Sequence, residues 1–249
     1  MKSLIEITEL GCLSVAGEEA ATFLQGQTTC DVFELIENQS QTGAFCNSKG
    51  KVIAFFVMVK TSEGFLLILP KSMLQIIQNL LEHYKLRAKV SISEIENLPI
   101  KAFLKPTTLR TPWILPQTSE QFVPQMLNLD QTGAVSFKKG CYTGQEIVTR
   151  THYLGEIKRT LNLGLCEPTA SAAPNCDILD DKNEKVGTVL LAQVRGIPQK
   201  TKSESGEEVE TTTINKMLVL CVVNTEAISE VLHLDNNERD IVKIVGGNK

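Results

Sequence analysis

Residues 52–59 read VIAFFVMV, and FLLILP follows after Lys60 and a turn-like Thr61-Ser62-Glu63-Gly64. A strand that is apolar at every position has no face to give to water, so these two runs predict a hairpin of buried strands. Such a hairpin needs other elements to cover it, and Pro70 ends it. The next stretch, 71–86, carries Met73, Leu74, Ile76, Ile77, Leu80, Leu81 and Tyr84. That spacing is the stripe of an amphipathic helix that can lie on a sheet.

The remaining pattern divides the chain. A short helix is predicted over 17–24, strands before 52 from Gln41 onward, a strand over 89–93, loop over 105–118, and a short helix within 121–129 after Pro124. Beyond that the reading is all strands: Leu161 to Leu165, Val186 to Leu191, Met217 to Val223 and Ile241 to Val245. The polar stretch 196–213 between them reads as a mobile hairpin loop. The expectation is an α+β body over 1–157 and a small C-terminal β-barrel over 158–249.

Composition excludes some function classes. No run of 18 apolar residues exists, so no membrane span is expected. The first residues, MKSLIEITELGCLSVAGEE, fit neither a secretory signal nor a transit peptide. A net charge of −4 and 5% aromatic residues argue against direct nucleic-acid binding. The seven cysteines never stand in a Cys-x-x-Cys pair, so no metal site is assigned. Reduced thiols in a cytoplasmic protein, with a monomer as the default, are the expectation.

One cysteine stands apart. In KKGCYTGQEIVTR, residues 138–150, Cys141 lies between Gly140 and Gly144, after two lysines and before Gln145 and Glu146. Glycine permits backbone conformations that a Cβ forbids, and the run from Gln145 predicts a helix start. A helix N-terminus and nearby cations both favour a thiolate. The same residues also suit a packed structural thiol, surface lysines and a helix cap.

This stretch resembles the Lys-Gly-Cys-Tyr-x-Gly-Gln-Glu signature of the YgfZ-type folate-binding proteins, relatives of the glycine-cleavage T-protein. FLQGQTTCDV (23–32), FCNSKGKV (45–52), FVPQMLNLDQTGAVSF (122–137) and THYLGEIKR (151–159) resemble further blocks of that family, in the same order. The resemblance implies a T-protein-like body around a central channel, followed by a β-barrel. It implies tetrahydrofolate or another reduced folate as ligand. It implies an accessory role in iron–sulfur cluster synthesis or repair, with iron–sulfur enzymes, such as those modifying tRNA, or their assembly proteins as partners.

The roles it suggests are these. Cys141 would be the reactive thiol. Lys139 would tune it and meet an anion. Tyr142 would stack on the pterin, and Gln145 and Glu146 would hold the loop by reaching backbone donors. Gln27, Asp31, Asn47 and Lys49 would line the channel, with Lys49 on the folate's glutamate tail, and Arg150 and Arg159 would add positive field. Two departures matter. The T-protein's Gly-Gly-x-x-Asp-Asp block, which supplies a catalytic carboxylate, falls on Gly50 to Phe55, so Ala54 and Phe55 replace the acids. The family's Arg-x-Glu-x-Gly segment falls on 106–112, which holds no acid. An aminomethyltransferase-like enzyme and a partner-protein adaptor with a vestigial folate site are the alternatives.

Overall fold

The computed structural model describes residues 4–104, 108, 110–168, 171–202, 208–229, 231–236 and 238–245, with backbone alone at 197–202 and 208–213. The chain divides into two compact units, Met1–Leu161 and Asn162–Lys249.

The first unit is built on a five-stranded antiparallel sheet. Its strands are β1 (Leu10–Ala16), β2 (Ser40–Cys46), β3 (Val52–Thr61), β4 (Gly64–Pro70) and β5 (Ser91–Ile95), in the spatial order β2-β3-β4-β1-β5. The predicted hairpin is β3–β4, and its apolar runs are buried on both faces. On one face lie α1 (Ala20–Gln25) and α2 (Lys71–Lys85), the latter burying Met73, Leu74, Ile77 and Leu81 in one cluster with Leu13, Phe56, Met58 and Leu67. Over β3 lies the segment 111–129. Trp113 meets Phe55 edge-on at 5.3 Å, the Phe122 carbonyl accepts from Val52 N at 2.8 Å, and Ser119 donates to the Ile53 carbonyl at 2.8 Å. The helix expected near Pro124 is a single 3-10 turn, Pro124–Leu127. The predicted strand over 89–93 falls two residues later, at β5. Strand β1, which alternates small residues with Leu and Val, carried no strand signal strong enough to predict it.

The second unit is a closed six-stranded barrel. It comprises β6 (Arg159–Cys166), β7 (Asp177–Leu179), β8 (Lys185–Lys202), β9 (Glu208–Asn224), β10 (Leu232–Leu234) and β11 (Ile241–Ile244), in the order β10-β11-β6-β9-β8-β7. Pairing of His233 with Leu179 and of Leu234 with Ile178 closes it. Cys166, Ile178, Val189, Val219, Cys221 and Val223 are among its core residues.

The polar stretch 196–213 is not the loop that its composition predicts. It forms the outer part of the β8–β9 ladder, which runs antiparallel from Gly187↔Val223 to Lys202↔Glu208 with register shifts at Val189/Leu191 and Gln199/Lys200, and 203–207 lie outside the described residues. β-Branched Ile197, Val209, Thr211, Thr212, Thr213 and Ile214 suit extended backbone. The backbone register sets residue 200 opposite 210 and residue 202 opposite 208. No helix among the described residues is long and apolar enough to cross a membrane.

Candidate functional site

The Cys141 loop runs between the 3-10 turn at Pro124 and α3 (Gln145–Leu154) without regular structure of its own. It is held by the turn that follows α1. Ser136 N donates to the Thr29 carbonyl at 2.9 Å. Thr29 Oγ1 donates to the Ala134 carbonyl at 2.7 Å and accepts from Ala44 N at 2.9 Å, joining loop, turn and β2 through one hydroxyl. Thr143 N donates to the Gly26 carbonyl at 3.3 Å. The 23–32 block therefore acts as scaffold for the cysteine signature.

The 45–52 block meets the signature through two glycines. Gly144, the N-cap of α3, has φ +83°, and a Cβ there would lie 2.3 Å from the Asn47 carbonyl oxygen and 3.0 Å from Gly50 Cα. Gly50 has φ +69°, and a Cβ on it would lie 2.9 Å from Ile147 Cβ. Each glycine has both a left-handed backbone and a neighbour too near for a side chain, so the start of α3 is locked against the turn after β2.

Lys139 does not serve Cys141 as expected. It is buried, with Nζ donating to the carbonyls of Thr28 (2.7 Å) and Cys30 (2.8 Å) and lying 5.2 Å from the centre of the Tyr142 ring. Burial lowers its pKa to about 8, opposed by Cys30 and Asp31, so the charges it answers to lie in the supporting turn. Those two carbonyls would lose their donor if the side chain turned outward. Lys138, its neighbour, is exposed. Tyr142 is also buried, which pushes its hydroxyl well above the ordinary phenol range, and that hydroxyl has no hydrogen-bond partner among the described residues.

Gln145 reaches an acceptor rather than a backbone donor: its Nε2 donates to the Lys139 carbonyl at 3.4 Å. Glu146 reaches no backbone donor either, because its Oε1 accepts from Arg150 Nη2 at 2.7 Å, an exposed i,i+4 pair. Asp31 and Asn47 are turn residues. Asp31 Oδ1 accepts from Gln25 Nε2 (3.0 Å) and Phe33 N (3.1 Å), while Asn47 Oδ1 accepts from Lys49 N and Lys51 N (both 3.0 Å) and its Nδ2 donates to Glu120 (2.8 Å). Short polar side chains close such turns on their own backbone, which removes these atoms from ligand binding. Gln27 is half-buried beside the same turn, and Lys49 is exposed. Arg159 is exposed, and its charge helps burial to lower the pKa of Lys51.

Cys141 is the exposed cysteine of the seven. Cys176 is half-buried and the other five are buried, with burial pushing their thiols up: Cys30 to about 11, Cys12, Cys46 and Cys166 to about 12, and Cys221 higher still. Cys141 opens on a cleft of about 820 Å³ whose walls include Ser48, Phe137, Gln145, Glu146 and Arg150. One lining residue, Phe137, was not foreseen. The Phe137 ring stacks on His152 at 3.8 Å and 17°, and Tyr153 meets both rings at their edges. Asp130, whose pKa burial raises, has Oδ2 3.9 Å from His152 Nδ1 and a buried Oδ1 with no partner among the described residues. Where the T-protein block has its acids, Ala54 and Phe55 are buried in the sheet. The acid-free segment 106–112 lies partly outside the described residues; within it Thr108 N donates to Thr111 Oγ1 at 2.6 Å.

No protein-family model matches the chain. Among curated proteins it is similar to the tRNA-modifying protein YgfZ of Colwellia psychrerythraea, at 30% identity, with the match covering 64% of this chain and 70% of that one. The tRNA-modifying protein YgfZ of Photobacterium profundum is 27% identical, over 67% and 71%. Among solved structures, the glycine cleavage system aminomethyltransferase T of Bartonella henselae superposes with a TM-score of 0.65, covering 97% of this chain and 84% of that one at 12% identity. That likeness establishes the T-protein fold. With the signature loop locked onto two further family blocks in one unit, and with this degree of identity to its relatives, the chain belongs to the YgfZ family.

Proposed function

We propose that this chain is a cytoplasmic, folate-binding accessory protein of iron–sulfur cluster synthesis or repair. It would act on iron–sulfur enzymes, among them those that modify tRNA, with Cys141 as its reactive thiol. The observation that carries the reading is the contrast among the cysteines: five are sealed in cores, and Cys141 opens on a cleft inside the family's signature. A nucleophilic or metal-ligating thiol needs that access. The relatives named tRNA-modifying proteins support the tRNA connection.

A reduced folate fits part of the residue set assigned to it. Lys49 is exposed and makes no ion pair among the described residues, which suits an anionic tail. Gln145 offers its amide in the cleft, beside the ring of Tyr142. Asn47 does not fit, because its amide is committed to its own turn and to Glu120, and Asp31 has one carboxylate oxygen, Oδ1, committed to the turn after α1. When bound, the folate would supply one-carbon or redox chemistry; the chain's own contribution is to present a single thiol on a fixed loop. Aminomethyl transfer is disfavoured, because apolar side chains packed under Trp113 offer no proton acceptor.

The test pairs the wild-type protein with Cys141→Ala. Calorimetric titration with tetrahydrofolate under reducing, anaerobic conditions is expected to give binding by both. In cells lacking the protein, wild type restores iron–sulfur-dependent tRNA thiolation and Cys141→Ala does not. Absence of binding by both removes folate from the reading, and full rescue by Cys141→Ala turns it into that of a partner-protein adaptor.

A further inference from the structure

The chain is acidic, yet its signature region is not. From Lys138 to Arg159 it has five lysines and arginines against Glu146 and Glu156. The turn locked onto Gly144 adds Lys49 and Lys51. Inside the cleft, Glu146 and Arg150 answer each other. Lys49 and Lys138, each next in sequence to a lining residue, are exposed and make no ion pair among the described residues. Two exposed ammonium groups without an ion pair among the described residues thus flank residues that line this cleft.

One lining residue of the same cleft, Phe137, belongs to a cluster of rings that stands beside it. Phe137 lines it, His152 is stacked behind Phe137 at 3.8 Å, and Tyr153 stands edge-on to both while 66% exposed. Leu154, another lining residue, is 84% exposed. A tyrosine and a leucine left in water beside a stacked pair form a surface awaiting an apolar or aromatic ligand. Exposed rings interleaved with unpaired ammonium groups match a polymer that offers a flat ring and one negative charge per unit. That polymer is single-stranded nucleic acid.

We infer that the Cys141 cleft is a binding site for an unpaired nucleotide of RNA. The base stacks on the Phe137–His152–Tyr153 cluster, and its flanking phosphates lie on Lys49 and Lys138. Gln145 and Glu146 offer an amide and a carboxylate to the base edge. The low aromatic content and acidic balance argued against such binding because composition averages over the chain, whereas the fold gathers rings and cations at one place. The inference goes beyond the proposed iron–sulfur role; because it uses Lys49 and Gln145, RNA and a folate would compete for these side chains.

Fluorescence anisotropy with a labelled, unstructured RNA oligomer tests it on the full chain. Tyr153→Ala, which removes an exposed ring, is expected to weaken Kd about tenfold, from the worth of one base–aromatic stack. Its thermal midpoint should be unchanged. In the double variant Lys49→Ala/Lys138→Ala, the slope of log K against log salt should flatten by about 1.4, from roughly 0.7 per phosphate contact on a single strand. No binding by the wild type, a Tyr153→Ala Kd within a factor of two of wild type, or an unchanged salt slope would each overturn the inference. The tetrahydrofolate titration is scored separately, so loss of RNA binding with folate binding intact counts against this inference alone.

Discussion

The ammonium of Lys139 donates to two main-chain carbonyls more than a hundred residues away in sequence, Thr28 and Cys30. Lys139→Met would keep much of the apolar stem and leave the buried Thr28 carbonyl without that donor. The expected cost is about 2 kcal/mol, read as a lower urea midpoint, together with faster proteolysis of the Cys141 loop. Lys138 and Lys139 are adjacent and chemically identical, so no local pattern tells which one is buried. The partner of each is decided by the turn after α1. The same holds for Asp31 and Asn47, which looked like ligand contacts in the motif blocks and are turn closures in the fold. Glycines and family resemblance mark the Cys141 loop in the sequence, and the fold leaves that cysteine exposed. Its aromatic surroundings were not legible: Phe137 lies fifteen residues from His152, and the rings meet only when α3 folds back on the loop.

At the scale of elements, β3 shows what a sequence states plainly. Its apolar run has no polar alternation, and the strand is buried on both faces. The same burial fixes what can stand at the position of the T-protein's acids. Phe55→Asp would restore one carboxylate by name, but it would set a charge against Trp113 with no partner and lose the packing of a large ring. We expect a loss of about 4 kcal/mol and no aminomethyltransferase activity, checked by urea denaturation and by an assay for the transfer. The β8–β9 ladder shows the opposite limit. Its outer half is polar, which hides a strand from any reading based on hydrophobicity, while backbone pairing carries the ladder out to Lys202 and Glu208.

For the whole molecule, buried thiols set the response to alkali. Cys12, Cys30 and Cys46 in the body and Cys166 in the barrel ionise near 9.0 when unfolded and at about 11 to 12 when folded. Between those values the native state holds protons that the unfolded state has released. Their contribution is complete below pH 9 and is lost as pH rises through 11 to 12. Lys139 runs the other way, since its folded pKa of about 8 lies below the ordinary 10.5 and its effect on stability rises with pH between them. Several thiols outweigh one amine, so the urea midpoint measured in reductant should fall steadily from pH 9 upward. Barrel closure was not legible in the same way as the body. The closing strands β7 and β10 are three residues long, too short for any periodicity, and pairing across the ring selects them.

Trp113 is the single tryptophan of the chain, fully shielded and edge-on to Phe55. Its emission therefore belongs to the first unit alone. Indole fluorescence should be blue and insensitive to quenchers until that unit opens. The barrel can melt without changing the colour of the light, and only circular dichroism would see it go.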